Sequence, residues 1–217
     1  MNRPAPRTPA KAGAAERELL AALGPEAAVF DFDGTLVDTH TVNIDAARAS
    51  LTDLSLALPA HWLDQAPLAD LTALRQQLHT DLGFRLPCTD KEFVDRTRAH
   101  WLTLAHQVRP VACVAALARD LAQTMPVAVA SANDGQVVRA GLAAVGLDDL
   151  FDIVIAREHV TQLKPAPDAY QLAATKLATT PDRCVAFENT TEGIEAARTA
   201  GIPVIDIRNR TWTVQTR

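Results

Sequence analysis

Asp31 and Asp33 stand two residues apart at the end of a short apolar run, Ala27-Ala28-Val29-Phe30-Asp31-Phe32, and Gly34 and Thr35 follow at once. Three later points also put polar groups at or beyond the end of an apolar run. These are Ser131 with Ala132 and Asn133, Lys164 just before Pro165-Ala166-Pro167, and Glu188 with Asn189. Paired carboxylates suit acid–base work and nucleophilic attack, an ammonium neutralises negative charge, and a hydroxyl can hold a reacting oxygen. Taken singly, most have an ordinary reading. Ser131 alone is a turn residue, Lys164 alone a solvated lysine, and Glu188 alone a charge favoured at a helix N-terminus. Asp31 and Asp33 are harder to dismiss, because turn carboxylates flanking a phenylalanine would repel each other for no gain.

Bringing such distant groups together requires a particular scaffold. Apolar runs at 27–32, 126–130, 151–156, 184–187 and 203–207 read as five strands. Segments 14–23, 111–123, 136–145, 167–177 and 192–199 read as helices. Buried strands separated by helices predict an α/β fold, a doubly wound parallel sheet covered on both faces. Ligands of such sheets bind beyond the carboxyl ends of the strands, and that rule gathers all four polar points into one cleft.

Between residues 39 and 108 the pattern is helical instead. Leu68, Leu71, Leu74, Leu78 and Leu82 recur at spacings of three and four, and Gly83 ends that run. Thr89 and Glu92 have capping-box spacing, and Phe93, Trp101 and Ala105 fit one face of the helix that follows. The expected organisation is a tail and short helix over 1–22, an α/β core of 23–38 with 109–217, and a helical insert over 39–108. Residues 1–13 read as a loose tail, and the polar last ten residues receive no assignment.

Composition narrows the function classes. Lys and Arg number 21 against 26 Asp and Glu, a net charge of −5, with no basic run, so a nucleic-acid partner is not expected. No run of eighteen apolar residues offers a membrane span, and the opening residues make a poor secretory signal. Cys88, Cys113 and Cys184 are odd in number and far apart, which suggests neither a disulfide framework nor a thiolate zinc site. A cytoplasmic protein with free thiols is expected, and its oligomeric state is not legible.

In the same order, the segments Asp31-Phe32-Asp33-Gly34-Thr35-Leu36-Val37-Asp38-Thr39, Val129-Ala130-Ser131-Ala132-Asn133, Lys164-Pro165-Ala166-Pro167-Asp168 and Val185-Ala186-Phe187-Glu188-Asn189 resemble the haloacid dehalogenase-like superfamily. The branch most similar is the one holding β-phosphoglucomutase and small sugar-phosphate phosphatases. The resemblance implies a Rossmann-like core with an inserted helical cap domain. It implies Asp31 as nucleophile, forming an aspartyl-phosphate, and Asp33 as general acid and then base, with a raised pKa. It gives Ser131, with the backbone around Ala132 and Asn133, and Lys164 the phosphoryl oxygens, and Thr35 a hydroxyl in the nucleophile loop. Mg²⁺ is the implied cofactor, held by Asp31, the Asp33 carbonyl, Glu188 and Asn189.

Several residues depart from that pattern. Asn189 stands where a second acid is usual; its amide oxygen can bind Mg²⁺ but brings no charge. Asn43 stands where the mutase has its cap histidine, and is the substrate-binding candidate there. Gln65-Ala66-Pro67-Leu68-Ala69-Asp70 has neither the glycine nor the arginine of the mutase cap loop, and Asp134 replaces a lysine. Losing cations disfavours a bisphosphate intermediate. The expectation is therefore a Mg²⁺-dependent phosphatase acting on a small phosphate ester. A phosphomutase and a catalytically impaired ligand-binding member are the alternatives.

Overall fold

The apolar runs are short because each ends where polar chemistry begins. In the computed structural model, which describes residues 14–59, 61–66, 68, 71–208 and 213–215, they pair into one sheet. The elements run α1 (Ala14–Leu23), β1 (Ala27–Phe30), β2 (Val37–Asp38), α2 (His40–Asp53), α3 (Leu71–Leu82), α4 (Asp90–Leu104), β3 (Arg109–Pro110) and α5 (Ala112–Ala122). They continue through β4 (Val127–Ala130), α6 (Gly135–Ala144), β5 (Ile153–Ile155), α7 (Asp168–Lys176), β6 (Cys184–Glu188), α8 (Thr191–Thr199), β7 (Val204–Asp206) and β8 (Thr213–Gln215).

The sheet order is β5-β4-β1-β6-β7-β8, with β1 at its centre. Phe30 lies level with Val129 on one side and Phe187 on the other, so β1, β4 and β6 reach their carboxyl ends together. Five strands are parallel, and β8 pairs antiparallel with β7. That sixth strand lies in the last ten residues, which carry too little apolar alternation to announce a strand. The loose tail read at 1–13 lies outside the described residues.

Alternation along the strands makes two unlike faces. Phe30, Val129, Phe187 and Ile205 point to one face, where Val114 and Leu117 of α5 and Val138 and Leu142 of α6 cover them. Phe30 and Phe187 stack there with ring centroids 4.6 Å apart. Burying such a side chain fully contributes about 1.5–3 kcal/mol. The other face carries Val29, Ala128, Ala130 and Ala186, and its small side chains meet Ala173, Ala174, Ala196 and Ala197 of α7 and α8. Among the described residues Tyr170 is the one large ring on that face.

Helices α2, α3 and α4, with the short 3₁₀ turn Trp62–Gln65, form a separate core of Ile44, Leu51, Leu63, Leu74, Leu78 and Phe93. The Thr89–Glu92 capping box opens α4. Val42, Ala46 and Trp101 turn the other way and join the large-residue face of the sheet. The chain enters and leaves this helical segment through a two-stranded ribbon, in which Val37 pairs with Pro110 and Asp38 with Arg109.

Candidate active site

At the carboxyl edge of the sheet, one ammonium joins three strands. Lys164 Nζ donates to Asp31 Oδ1 at 2.7 Å, to the Ala130 carbonyl at 3.0 Å and to Glu188 Oε1 at 2.5 Å. The Lys164 side chain is 7% exposed, Asp31 9% and Glu188 0%, so water screens these contacts little. The ammonium also lies 5.0 Å from the centre of the Tyr170 ring. Burial pulls the lysine pKa down, but Asp31 and Glu188 outweigh it and push it up to about 12. Burial raises the Asp31 pKa, Glu188 adds to the rise, and Lys164 offsets part of it, leaving it at about 7.

Glu188 is saturated with donors. Oε1 accepts from Lys164 Nζ and from Tyr170 Oη at 2.9 Å. Oε2 accepts from the Asn189 and Thr190 backbone N–H groups and from Thr190 Oγ1. A carboxylate offers about four lone-pair sites, so five donors leave it no open oxygen. Gly193, in the first turn of α8, makes this possible, because a Cβ there would overlap the Glu188 carboxylate.

Asp33 faces away from that cluster, toward the helical segment. Its Oδ1 accepts from Thr39 Oγ1 at 2.5 Å and its Oδ2 from Asn133 Nδ2 at 3.3 Å. Burial raises its pKa, and the hydrogen bonds from Thr39 and Asn133 only partly oppose this. Thr39 is the N-cap of α2 by position, yet its hydroxyl goes to Asp33. Asp38 Oδ1 instead accepts the His40 N–H at 3.2 Å, a capping contact. Asn43 Nδ2 reaches Thr39 Oγ1 at 3.4 Å, and Asn43 Oδ1 accepts from Trp101 Nε1 at 2.7 Å.

Ser131 is buried and its Oγ accepts the Asn133 N–H at 3.0 Å. Thr35 Oγ1 donates to Asn189 Oδ1 at 3.2 Å. Gly34 turns with φ +75°, and a Cβ there would run into the Asn189 amide. Asp31, Glu188 and Lys164 thus meet in direct contact, Asp33 with Asn133 and Asn43 forms a second group, and Thr35 with Asn189 a third. Ala132 lies beside Asn133 on the wall of a cavity.

That cavity, of about 130 Å³, opens beyond Asp33 between the sheet and the helical segment. Asn43, Thr97, Arg98 and Trp101 line it from one side, and Asn133, Asp134 and Arg157 from the other. Arg98 donates to Asp134 and Asp95 at 2.6 Å each, tying α4 to the start of α6. Of the Gln65–Asp70 stretch, Pro67, Ala69 and Asp70 lie outside the described residues.

Sequence reasoning missed Tyr170, Thr39, Gly193, Trp101 and Arg157. An aromatic residue inside a helix reads as core, and Tyr170 is core apart from its hydroxyl. Only Thr39, at the tail of the first motif, carried a signal that could have found it.

The donor set suits a hard cation only in part. Asp31 Oδ2 and the Asp33 carbonyl accept no hydrogen bond among the described residues, and both are oxygens, as Mg²⁺ prefers. Asn189 adds an amide oxygen. No group of three or more His, Cys, Asp or Glu side chains is arranged for a metal among the described residues. The residues therefore fit Mg²⁺ with a single carboxylate, Asp31, as charged ligand; Glu188, also expected in the metal set, has both oxygens taken by hydrogen-bond donors here.

The family model described as haloacid dehalogenase-like hydrolase matches residues 28–207. Fructose-1-phosphate phosphatase YqaB of Escherichia coli (strain K12) is 32% identical over 184 residues, 83% of this chain and 95% of that protein. Hexitol phosphatase B of the same organism is 31% identical over 182 residues, 80% of this chain and 79% of that one. Among solved structures, CbbY from Rhodobacter sphaeroides in complex with xylulose-(1,5)bisphosphate has a TM-score of 0.74 at 22% identity. It covers 86% of this chain and 90% of its own, a likeness of fold.

Proposed function

We propose, since this chain belongs to the haloacid dehalogenase-like hydrolases and is a phosphoric monoester hydrolase, that it is a Mg²⁺-dependent phosphatase working in the cytoplasm on a small phosphate ester of the sugar-phosphate kind. In this reading residues 39–108 act as a cap over a core of 23–38 and 109–217. The observation that carries it is the setting of Asp31, a buried carboxylate with one oxygen on Lys164 Nζ and the other without a donor among the described residues.

Asp31 Oδ2 attacks phosphorus, and the ester oxygen leaves with a proton from Asp33. Asp33 then takes a proton from water, whose oxygen attacks the same phosphorus, releasing phosphate and restoring the Asp31 carboxylate. The raised pKa of Asp33 favours its holding the proton that the first step needs. Ser131 and the adjacent backbone hold phosphoryl oxygens, and Lys164 neutralises charge on Asp31 and on the transferring group. Thr35 orients Asn189. Asp31, the Asp33 carbonyl and Asn189 would hold Mg²⁺, with the Glu188 charge set behind them. Once bound, the cation neutralises the phosphate dianion and lets a carboxylate approach it.

The polar wall of the cavity supports hydrolysis over phosphomutation. Of its two guanidinium groups among the described residues, that of Arg98 is engaged by Asp95 and Asp134, which leaves a single cation, Arg157, to face the two charges of a second phosphate. The test is phosphate release from an aryl phosphate with and without Mg²⁺, beside Asp31→Asn. Release that needs the metal and disappears in the variant is the expected result. No release from this probe or from a metabolite panel would favour a binding role instead.

A further inference from the structure

We propose that Arg157 selects the substrate by pairing with a carboxylate on its organic part, so that the favoured esters are phosphates of sugar acids and related hydroxy acids. This deepens the phosphatase reading and rests on it. The cavity beyond Asp33 has four charged lining residues: Asp33, Arg98, Asp134 and Arg157. Arg98 and Asp134 pair with each other at 2.6 Å, and Arg98 holds Asp95 as well. Asp33 is engaged through both oxygens, by Thr39 Oγ1 and Asn133 Nδ2.

Arg157 remains. It is half-buried, and its guanidinium makes no hydrogen bond or ion pair among the described residues. Its backbone N–H donates to the Asn133 carbonyl at 3.0 Å, which fixes the residue against the same loop that touches Asp33 through Asn133. A guanidinium without a protein counter-ion keeps its donors free for a ligand that enters the cavity. A planar guanidinium matches a carboxylate with two parallel hydrogen bonds. A second phosphate dianion would place two charges against this one cation, so a carboxylate is the better counterpart. Asp33 adjoins the leaving oxygen in the proposed mechanism, and Arg157 shares its cavity. The carboxylate therefore belongs to the alcohol that leaves, and the phosphoryl group stays at Asp31.

The experiment compares 3-phosphoglycerate with glycerol 1-phosphate, which have similar three-carbon frames but differ in the carboxylate, in wild type, Arg157→Ala and Arg157→Lys. Wild type is expected to favour 3-phosphoglycerate in kcat/KM by about tenfold, the scale of one charge-assisted hydrogen-bonded pair. Arg157→Ala should remove that preference, mainly through KM, and leave glycerol 1-phosphate within about twofold; Arg157→Lys should restore part of it. Equal kcat/KM for the two esters in wild type, or equal losses on both in Arg157→Ala, would overturn the proposal. So would a stronger dependence on Arg157 with glucose 1,6-bisphosphate than with 3-phosphoglycerate. If neither ester nor an aryl phosphate is hydrolysed, the phosphatase reading itself fails. Calorimetric binding of the same two esters to wild type and Arg157→Ala then still decides the role of Arg157, since equal affinities would refute it.

Discussion

Lys164 Nζ lies 2.7 Å from Asp31 Oδ1, although the two residues are 133 positions apart in the chain. The same ammonium holds Glu188, so one cation sits between two buried carboxylates. Removing it leaves both uncompensated. Lys164→Met is expected to abolish activity and to destabilise the fold by about 3–5 kcal/mol, as breaking buried ion pairs does. Urea unfolding measures the loss; a midpoint equal to wild type would show that the cluster is not held by charge.

Gly193 gives a test of opposite sign to ordinary helix chemistry. Gly→Ala within a helix normally stabilises by up to about 1 kcal/mol. Here the added methyl would overlap the Glu188 carboxylate. Gly193→Ala should lower the melting temperature and reduce kcat, by moving Glu188 off Lys164 and Tyr170. A variant more stable than wild type with full activity would mean that Glu188 relocates freely.

Asp33 carries a pH signature. Burial raises its pKa above the ordinary 3.8, so the folded state keeps a proton that the unfolded state has released. Asp33 therefore costs stability as pH rises from the unfolded to the folded pKa, at about 1.4 kcal/mol per unit of difference, and the cost persists above both. Asp33→Asn has no proton to lose. In EDTA, the melting temperature of Asp33→Asn minus that of wild type should grow between pH 4 and pH 8. A constant difference would show that Asp33 titrates at its unfolded value.

Much of this arrangement was legible in the sequence, for a physical reason. The strands that position Asp31, Ser131 and Glu188 are continuous apolar runs, and the sheet rule places whatever follows them at one edge. The partners of those residues were not legible. Tyr170 and Gly193 act through single atoms or the absence of one, and neither changes a hydrophobic pattern. The β8 strand escaped because an edge strand of three residues needs little apolar sequence. The open guanidinium of Arg157 is visible only once Arg98 and Asp134 are seen to pair.

Asn189 replaces a charge with an amide in the proposed cation site. Asn189→Asp should tighten Mg²⁺ binding by roughly tenfold, the effect of one added carboxylate ligand on a hard cation. Activity measured against Mg²⁺ concentration gives the change. An unaltered half-saturating concentration would remove Asn189 from the metal set.

The covalent role of Asp31 is tested most directly by label transfer. Wild type mixed briefly with a ³²P-labelled ester and Mg²⁺, then quenched in acid, should carry label on the peptide containing Asp31, and Asp31→Asn should carry none. Label on another peptide, or phosphate release that survives Asp31→Asn, would contradict the account.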